Sequence, residues 1–75
     1  MTHNKVFEKG AELLPTYFAE KVVDVWFPNG RNSVRIRHYN RKEYIFTFNG
    51  PDEWSFETVK NFLERKEIEL KWKKK

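Results

Sequence analysis

Apolar residues in the N-terminal part of the chain recur at helical spacing. Between Asn4 and Glu20 they lie three or four positions apart, at Phe7, Ala11, Leu14 and Phe18. This spacing predicts an amphipathic helix that covers one face of a core. The helix is expected to end near Leu14 and to be followed by a break or a short turn, because the residue before a proline avoids the α region.

The hydrophobic period changes to two from Lys21 onward, which predicts strands. Asn29-Gly30 follows the run Lys21 to Phe27, and Asn-Gly between alternating segments favours a two-residue type I′ turn. Such a turn would pair Val25 with Val34 and Val23 with Ile36 on the core face. On the outer face it would pair Asp24 with Arg35, Trp26 with Ser33 and Val22 with Arg37.

Further alternation predicts a third strand over residues 43–48, with Tyr44, Phe46 and Phe48 facing the core. Ser55 is typical of a helix N-cap and Trp54 of a hydrophobic staple, so a helix is predicted from there to about Lys66. Strict alternation over residues 67–73 then predicts a last strand. The expected fold is α+β in the order α-β-β-β-α-β: an antiparallel three-stranded meander packed on helices, with a fourth strand at the C-terminal end.

The length and composition favour one small domain. The chain has 75 residues, of which 17% are aromatic and none is cysteine. One core spanning residues 1–75 is expected at this size, with large rings supplying the buried area. The lack of cysteine favours a reducing, cytoplasmic location, and no apolar run reaches the length of a signal peptide or a membrane span. No membrane contact is therefore expected.

Charge is unevenly distributed, although the net value is only +4. Residues 25–42 carry five basic side chains and no acid, and residues 71–75 form a lysine-rich tail. Acids outnumber bases over residues 43–70. Two basic segments thus flank an acidic one, and the basic segment coincides with the predicted hairpin.

The sequence favours a binding protein over an enzyme. His38 has the parity of a core-facing strand residue and His3 lies near the terminus, so neither has a partner at metal-ligand spacing. Ser33 and Ser55 are better explained as a strand residue and a helix cap, which leaves no nucleophile with a base beside it. No catalytic residue, metal or cofactor is expected.

The candidate site is the outer face of the meander. Arginines interleaved with aromatic rings on a solvent-facing sheet are typical of nucleic-acid binding, since guanidiniums contact phosphates and rings stack on bases. The residues expected to take part are Trp26, Arg31, Arg35, Arg37, Tyr39, Arg41 and Lys42. The tail lysines could add phosphate contacts.

Two other interpretations remain open. Alternating arginine also keeps an ordinary sheet face soluble, and the same face or a free sheet edge could bind a protein partner, as in a small accessory, inhibitor or phage-type protein. Alternatively, Val22, Trp26 and Ile45 could form an apolar patch for homodimerisation. The sequence therefore allows a monomer or a homodimer.

The predicted order of helix, three strands and helix resembles the double-stranded-RNA-binding domain in outline. That family opens its second helix with a glycine- and lysine-rich stretch, whereas residues 52–57 here are Asp-Glu-Trp-Ser-Phe-Glu. A three-stranded sheet backed by a helix is also similar to the arm-binding domains of tyrosine integrases, which implies insertion of the sheet into a major groove. No diagnostic motif accompanies either resemblance, so no family is identified.

Overall fold

The N-terminal helix forms where the apolar spacing predicts it. A computed structural model of the protein describes residues 2–65. Helix α1 spans His3–Leu13 and is capped by Thr2, whose Oγ1 accepts a hydrogen bond from the Lys5 amide. Pro15 begins a separate four-residue helix, α2, over Pro15–Phe18. The predicted break before Pro15 is confirmed.

Four antiparallel strands follow, and they make one sheet whose strand order is the chain order. They are β1 (Val23–Pro28), β2 (Ser33–His38), β3 (Glu43–Gly50) and β4 (Glu53–Thr58). A helix, α3, begins directly after β4 and is described over residues 59–65. The α+β class and the antiparallel meander packed on a helix are confirmed.

The β1–β2 hairpin has a different register from the predicted one. Trp26 pairs with Ile36 rather than Ser33, a shift of three positions. The chain does not reverse through Asn29-Gly30 alone, because Gly30 and Asn32 both have positive φ, at 74° and 56°. Asn29 N donates to Ser33 O across a loop of residues 29–32. Asn32, which tolerates the left-handed region as glycine does, thus makes the turn longer than the predicted two residues.

An odd shift of register places the β1 side chains after the β-bulge, from Val25 onward, on the opposite face from the predicted one, whereas Val23 still packs against the core. Trp26 therefore lies on the core face, where it stacks on Phe7 of α1 with ring centroids 5.1 Å apart. Val25 and Phe27 lie on the outer face, opposite Arg37 and Arg35. The predicted placement of Trp26 beside the arginines is wrong.

The segment predicted to start the second helix is strand β4. Phe56 pairs with Phe46 and Trp54 with Phe48, so both rings lie on the core face. Cross-strand aromatic pairs stabilise this arrangement, and Ser55 is a strand residue rather than a helix cap. Helix α3 starts at residue 59 instead, with Thr58 Oγ1 accepting from Asn61 N at 3.1 Å. Residues 67–73, predicted as a strand, lie outside the described residues, as does the basic tail.

The core lies between α1, α2 and one face of the sheet. Its buried apolar side chains are Val6, Phe18, Val34, Ile36, Phe46 and Phe48. Gly10 of α1 faces the Phe18 ring so closely that three ring carbons would lie within 2.9 Å of an added Cβ. Helices α1 and α2 approach each other at this glycine. The opposite face of the sheet is left to carry the candidate site.

Candidate functional site

Strand β2 divides its side chains between the two faces as predicted. Val34 and Ile36 are fully buried on the core face. Arg35 and Arg37 lie on the outer face, with side chains 41% and 43% exposed. Both guanidiniums therefore reach solvent.

Each of these arginines forms an ion pair, and the pairing differs from the predicted one. Asp24 Oδ2 accepts from Arg37 Nη2 at 3.3 Å, not from Arg35. Arg35 donates through both Nε and Nη2 to Glu43 Oε1, at 2.8 Å each. The new register explains the change, because Asp24 lies at the β-bulge next to the Val25–Arg37 pair. Solvent-exposed pairs of this kind contribute about 0–1 kcal/mol, so a phosphate can replace the carboxylate at small cost.

The β2–β3 turn, residues 39–42, carries an exposed ring that shares a cleft with two guanidiniums. Tyr39 is 64% exposed, and together with Arg37, Arg41 and Asp24 it lines a cleft of about 190 Å³. Asn40 Oδ1 accepts from Lys42 N at 3.0 Å and holds the turn in shape. Within residues 2–65, neither Arg41 nor Lys42 has a carboxylate within ion-pair distance.

Arg31 lies at the other end of the sheet from this turn. The β1–β2 loop that carries it is held to α1 by His3, whose Nε2 donates to Gly30 O at 2.6 Å. The two loops lie at opposite ends of strand β2. At the rise of a β-strand, the distance between them is about 17 Å. Arg31 thus extends the site along the strand but does not join the cluster at Tyr39.

Phe27 takes the place that Trp26 was predicted to occupy. It is 45% exposed and lies directly opposite Arg35 in the register. A ring in this position offers a stacking surface beside a guanidinium. Asn32 was the residue in the sequence that could have indicated this position. Asparagine tolerates a positive φ, and a loop with positive φ at both Gly30 and Asn32 is longer than a two-residue turn, which places Phe27 instead of Trp26 on the outer face.

Lys60 is a second residue that the sequence interpretation missed. It lies in α3 next to β4, and a groove of about 430 Å³ is lined by Lys42, Glu43, Tyr44, Thr58, Val59 and Lys60. Lys60 is exposed and, like Lys42, has no acidic partner within the described part of the chain. The basic end of the sheet therefore extends from Arg37 across β3 to the start of α3.

The β4 side of the outer face is acidic. Glu53 and Glu57 alternate with Ser55 along this strand, on the face opposite Trp54 and Phe56. Arg65 of α3 donates to Glu57 Oε1 at 2.6 Å, so α3 approaches the outer face from this edge. The outer-face arginines and exposed rings lie on β1, β2 and the β2–β3 turn, where Asp24 is paired with Arg37, whereas Glu43, Glu53 and Glu57 lie on β3 and β4.

The apolar patch proposed for homodimerisation does not form as predicted. Trp26 lies on the core face, and Ile45, although on the outer face, is only 2% exposed. Its neighbours in the register are Arg35 and Glu57. Val22 alone does not make a patch.

Residues 2–65 contain no group of three His, Asp or Glu side chains placed to hold a metal ion. His38 is buried at 5% exposure, and its Nε2 donates to Tyr17 O at 2.9 Å, as expected for a sheet histidine with a structural role. Asp52 and Glu53 lie in the β3–β4 turn and β4, not at a helix start. None of the helices described over residues 2–65 has the length and apolar character needed to cross a membrane.

No protein-family model, curated protein or solved structure matches the chain. The fourth strand, β4, also distinguishes this fold from the double-stranded-RNA-binding domain, whose order is one helix, three strands and a second helix. A function is therefore inferred from the side chains of the site.

Proposed function

We propose that the protein is a small, non-enzymatic module that binds nucleic acid through the outer face of β1 and β2 and the adjoining β2–β3 turn. The observation that carries the proposal is the cleft that exposed Tyr39 lines together with Arg37 and Arg41. An exposed ring in one cleft with two guanidiniums matches the combination of bases and phosphates along a nucleic-acid strand. A cytoplasmic location fits this proposal, since nucleic acid is accessible there.

The charges at the turn support contact with phosphates. Arg41 and Lys42 have no ion-pair partner among residues 2–65, so binding a phosphate there requires no carboxylate to be displaced. Arg37 has one exposed partner, Asp24, at 3.3 Å. Guanidinium groups also bind phosphate oxygens in a bidentate manner, which adds orientation to attraction. Arg35 and Arg31 extend the contact along β2.

The proposal is tested by measuring affinity for a mixed pool of short single strands and duplexes over a range of salt concentrations. Arg37→Gln and Arg41→Gln each remove one charge and keep most of the side-chain length. Each variant should bind more weakly and should reduce the slope of log K against log salt by about 0.7–0.9, the value for one phosphate contact.

Lys5→Gln is the matched control for these variants. Lys5 lies on α1, which packs against the core face, and among residues 2–65 its one ion-pair partner is Glu8, at 3.7 Å. Lys5→Gln also removes one positive charge. If all three variants weaken binding equally, the loss comes from the lower net charge of the protein and not from a specific contact at the sheet. Absence of binding to any single strand or duplex at low salt would refute the proposal.

A protein partner is the second candidate, and the sheet edges favour it. In the order β1-β2-β3-β4, both β1 and β4 have one side without a neighbouring strand within the described chain. An extended segment of another protein could add to such an edge through backbone hydrogen bonds. Affinity capture with the intact chain from nuclease-treated extract distinguishes the two: one stoichiometric protein that survives nuclease favours this alternative.

A further inference from the structure

The distribution of charge over the outer face indicates which form of nucleic acid the site accepts. The basic and aromatic side chains follow one line along β1, β2 and the turn: Phe27, Arg35, Arg37, Tyr39 and Arg41. We call these five residues the basic strip. Glu53 and Glu57 run parallel to it on β4, two strands away from β2.

From this geometry we infer that the ligand is a single strand lying along the basic strip, an inference that rests on the proposed function. Strands in a sheet are about 4.8 Å apart, so β4 lies roughly 10 Å from β2. The two backbones of a duplex border grooves of about 6 and 12 Å. A duplex with one backbone on the strip would thus bring its second backbone close to Glu53, whose carboxylate has no ion-pair partner among residues 2–65 and repels phosphates.

The exposed rings support the same conclusion. Phe27 is opposite Arg35, and Tyr39 follows four residues later, so the two rings are about 13 Å apart along the strand. Arg37 lies between them. Ring faces bind the faces of bases, which are accessible in single strands but are covered by neighbouring bases in a duplex.

The sheet is too wide to insert into a major groove, which is the binding mode implied by the resemblance to the arm-binding domains of tyrosine integrases. Four strands cover about 14 Å of backbone before side chains are added, more than the roughly 12 Å of a major groove. The contact between Arg65 and Glu57 also brings α3 toward this face. The whole sheet therefore does not enter a groove, whereas a single strand can follow the strip.

Fluorescence anisotropy with three labelled probes tests the inference: oligothymidine, oligouridine, and a mixed-sequence duplex, each about twelve residues per strand, within the site sizes of single-strand binders. Both single strands should bind at least about tenfold more tightly than the duplex. Phe27→Ala and Tyr39→Ala should each weaken single-strand binding at least about fivefold, the lower limit for loss of one stacked base. Phe27→Trp should restore it.

Leu13→Ala is the matched control, because Leu13 is an exposed apolar side chain of α1 on the other side of the sheet. Circular dichroism of each variant shows whether its fold is retained. Equal or tighter binding of the duplex, or unchanged single-strand binding by folded Phe27→Ala and Tyr39→Ala, would overturn the inference and leave the proposed function standing. No binding to any of the three probes would remove the proposed function itself.

Discussion

Phe27 lies directly opposite Arg35 on the outer face of the sheet, while its neighbour Trp26 stacks on Phe7 in the core. This arrangement follows from the β1–β2 loop of residues 29–32, which shifts the hairpin by three positions. It determines which ring is available to a ligand and which one stabilises the fold. The two adjacent aromatic residues therefore have different roles.

Alanine substitutions at these two positions separate the observed register from the predicted one. Trp26→Ala should lower the free energy of unfolding by about 2 kcal/mol or more, since it removes a ring packed against the core. Phe27→Ala should cost about 1 kcal/mol or less, because nearly half of its surface is already exposed. Urea denaturation measures both values. The reverse order would show that β1 presents its other face to the core.

Gly10→Ala should destabilise the protein, although alanine ordinarily favours a helix over glycine by about 1 kcal/mol. The added methyl group would overlap the Phe18 ring, and overpacking of this kind costs about 1–3 kcal/mol. Gly50→Ala is the control, since nothing lies within 4 Å of the position of its Cβ. Thermal unfolding should show a lower Tm for Gly10→Ala than for Gly50→Ala. A higher Tm for Gly10→Ala than for the unaltered protein would contradict the close packing of α1 on α2.

Thr58 and Ser55 provide a second contrast between observed and predicted structure. Thr58→Ala removes the N-cap of α3 and should cost about 1 kcal/mol. It should also speed hydrogen exchange at the Asn61 amide, which loses its acceptor. Ser55→Ala should change stability by about 0.5 kcal/mol at most, because Ser55 is a strand residue on the outer face. A larger loss for Ser55→Ala would favour a helix that starts at Ser55.

Lys60 tests whether the basic end of the sheet reaches α3. Lys60→Gln should weaken nucleic-acid binding by about two- to fivefold and lower the salt slope, as Lys42→Gln should, because both line the same groove. Lys5→Gln on α1 should have little effect. Affinity at two salt concentrations is sufficient to compare the three variants. If Lys60→Gln binds as tightly as the unaltered protein, the contact surface stops at β3.

Local signals in the sequence predicted much of the fold. The spacing of Phe7, Ala11 and Leu14 predicted α1, and Pro15 predicted where it ends. Alternation predicted the inward positions of β2 and β3. These elements each bury one face at a regular period, so a single chain segment contains the information.

The errors lie where neighbouring contacts decide between two local structures. Asn29-Gly30 is compatible with a two-residue turn, but Asn32 adds a second positive φ and lengthens the loop. Residues 53–58 carry both a cap signal at Ser55 and an alternating pattern. Pairing of Phe56 with Phe46 favours the strand. The longer β1–β2 loop places Phe27 in the candidate site, and the strand at residues 53–58 places Lys60 there. Both depend on tertiary contacts.

Amide chemical-shift changes on titration with oligothymidine at low salt show whether the outer face of the sheet is the contact surface. The largest changes are expected at residues 35–42 and at Phe27, with small changes over α1 (His3–Leu13). Changes concentrated in α1, or no changes at any oligonucleotide concentration, would contradict binding through the outer face of the sheet.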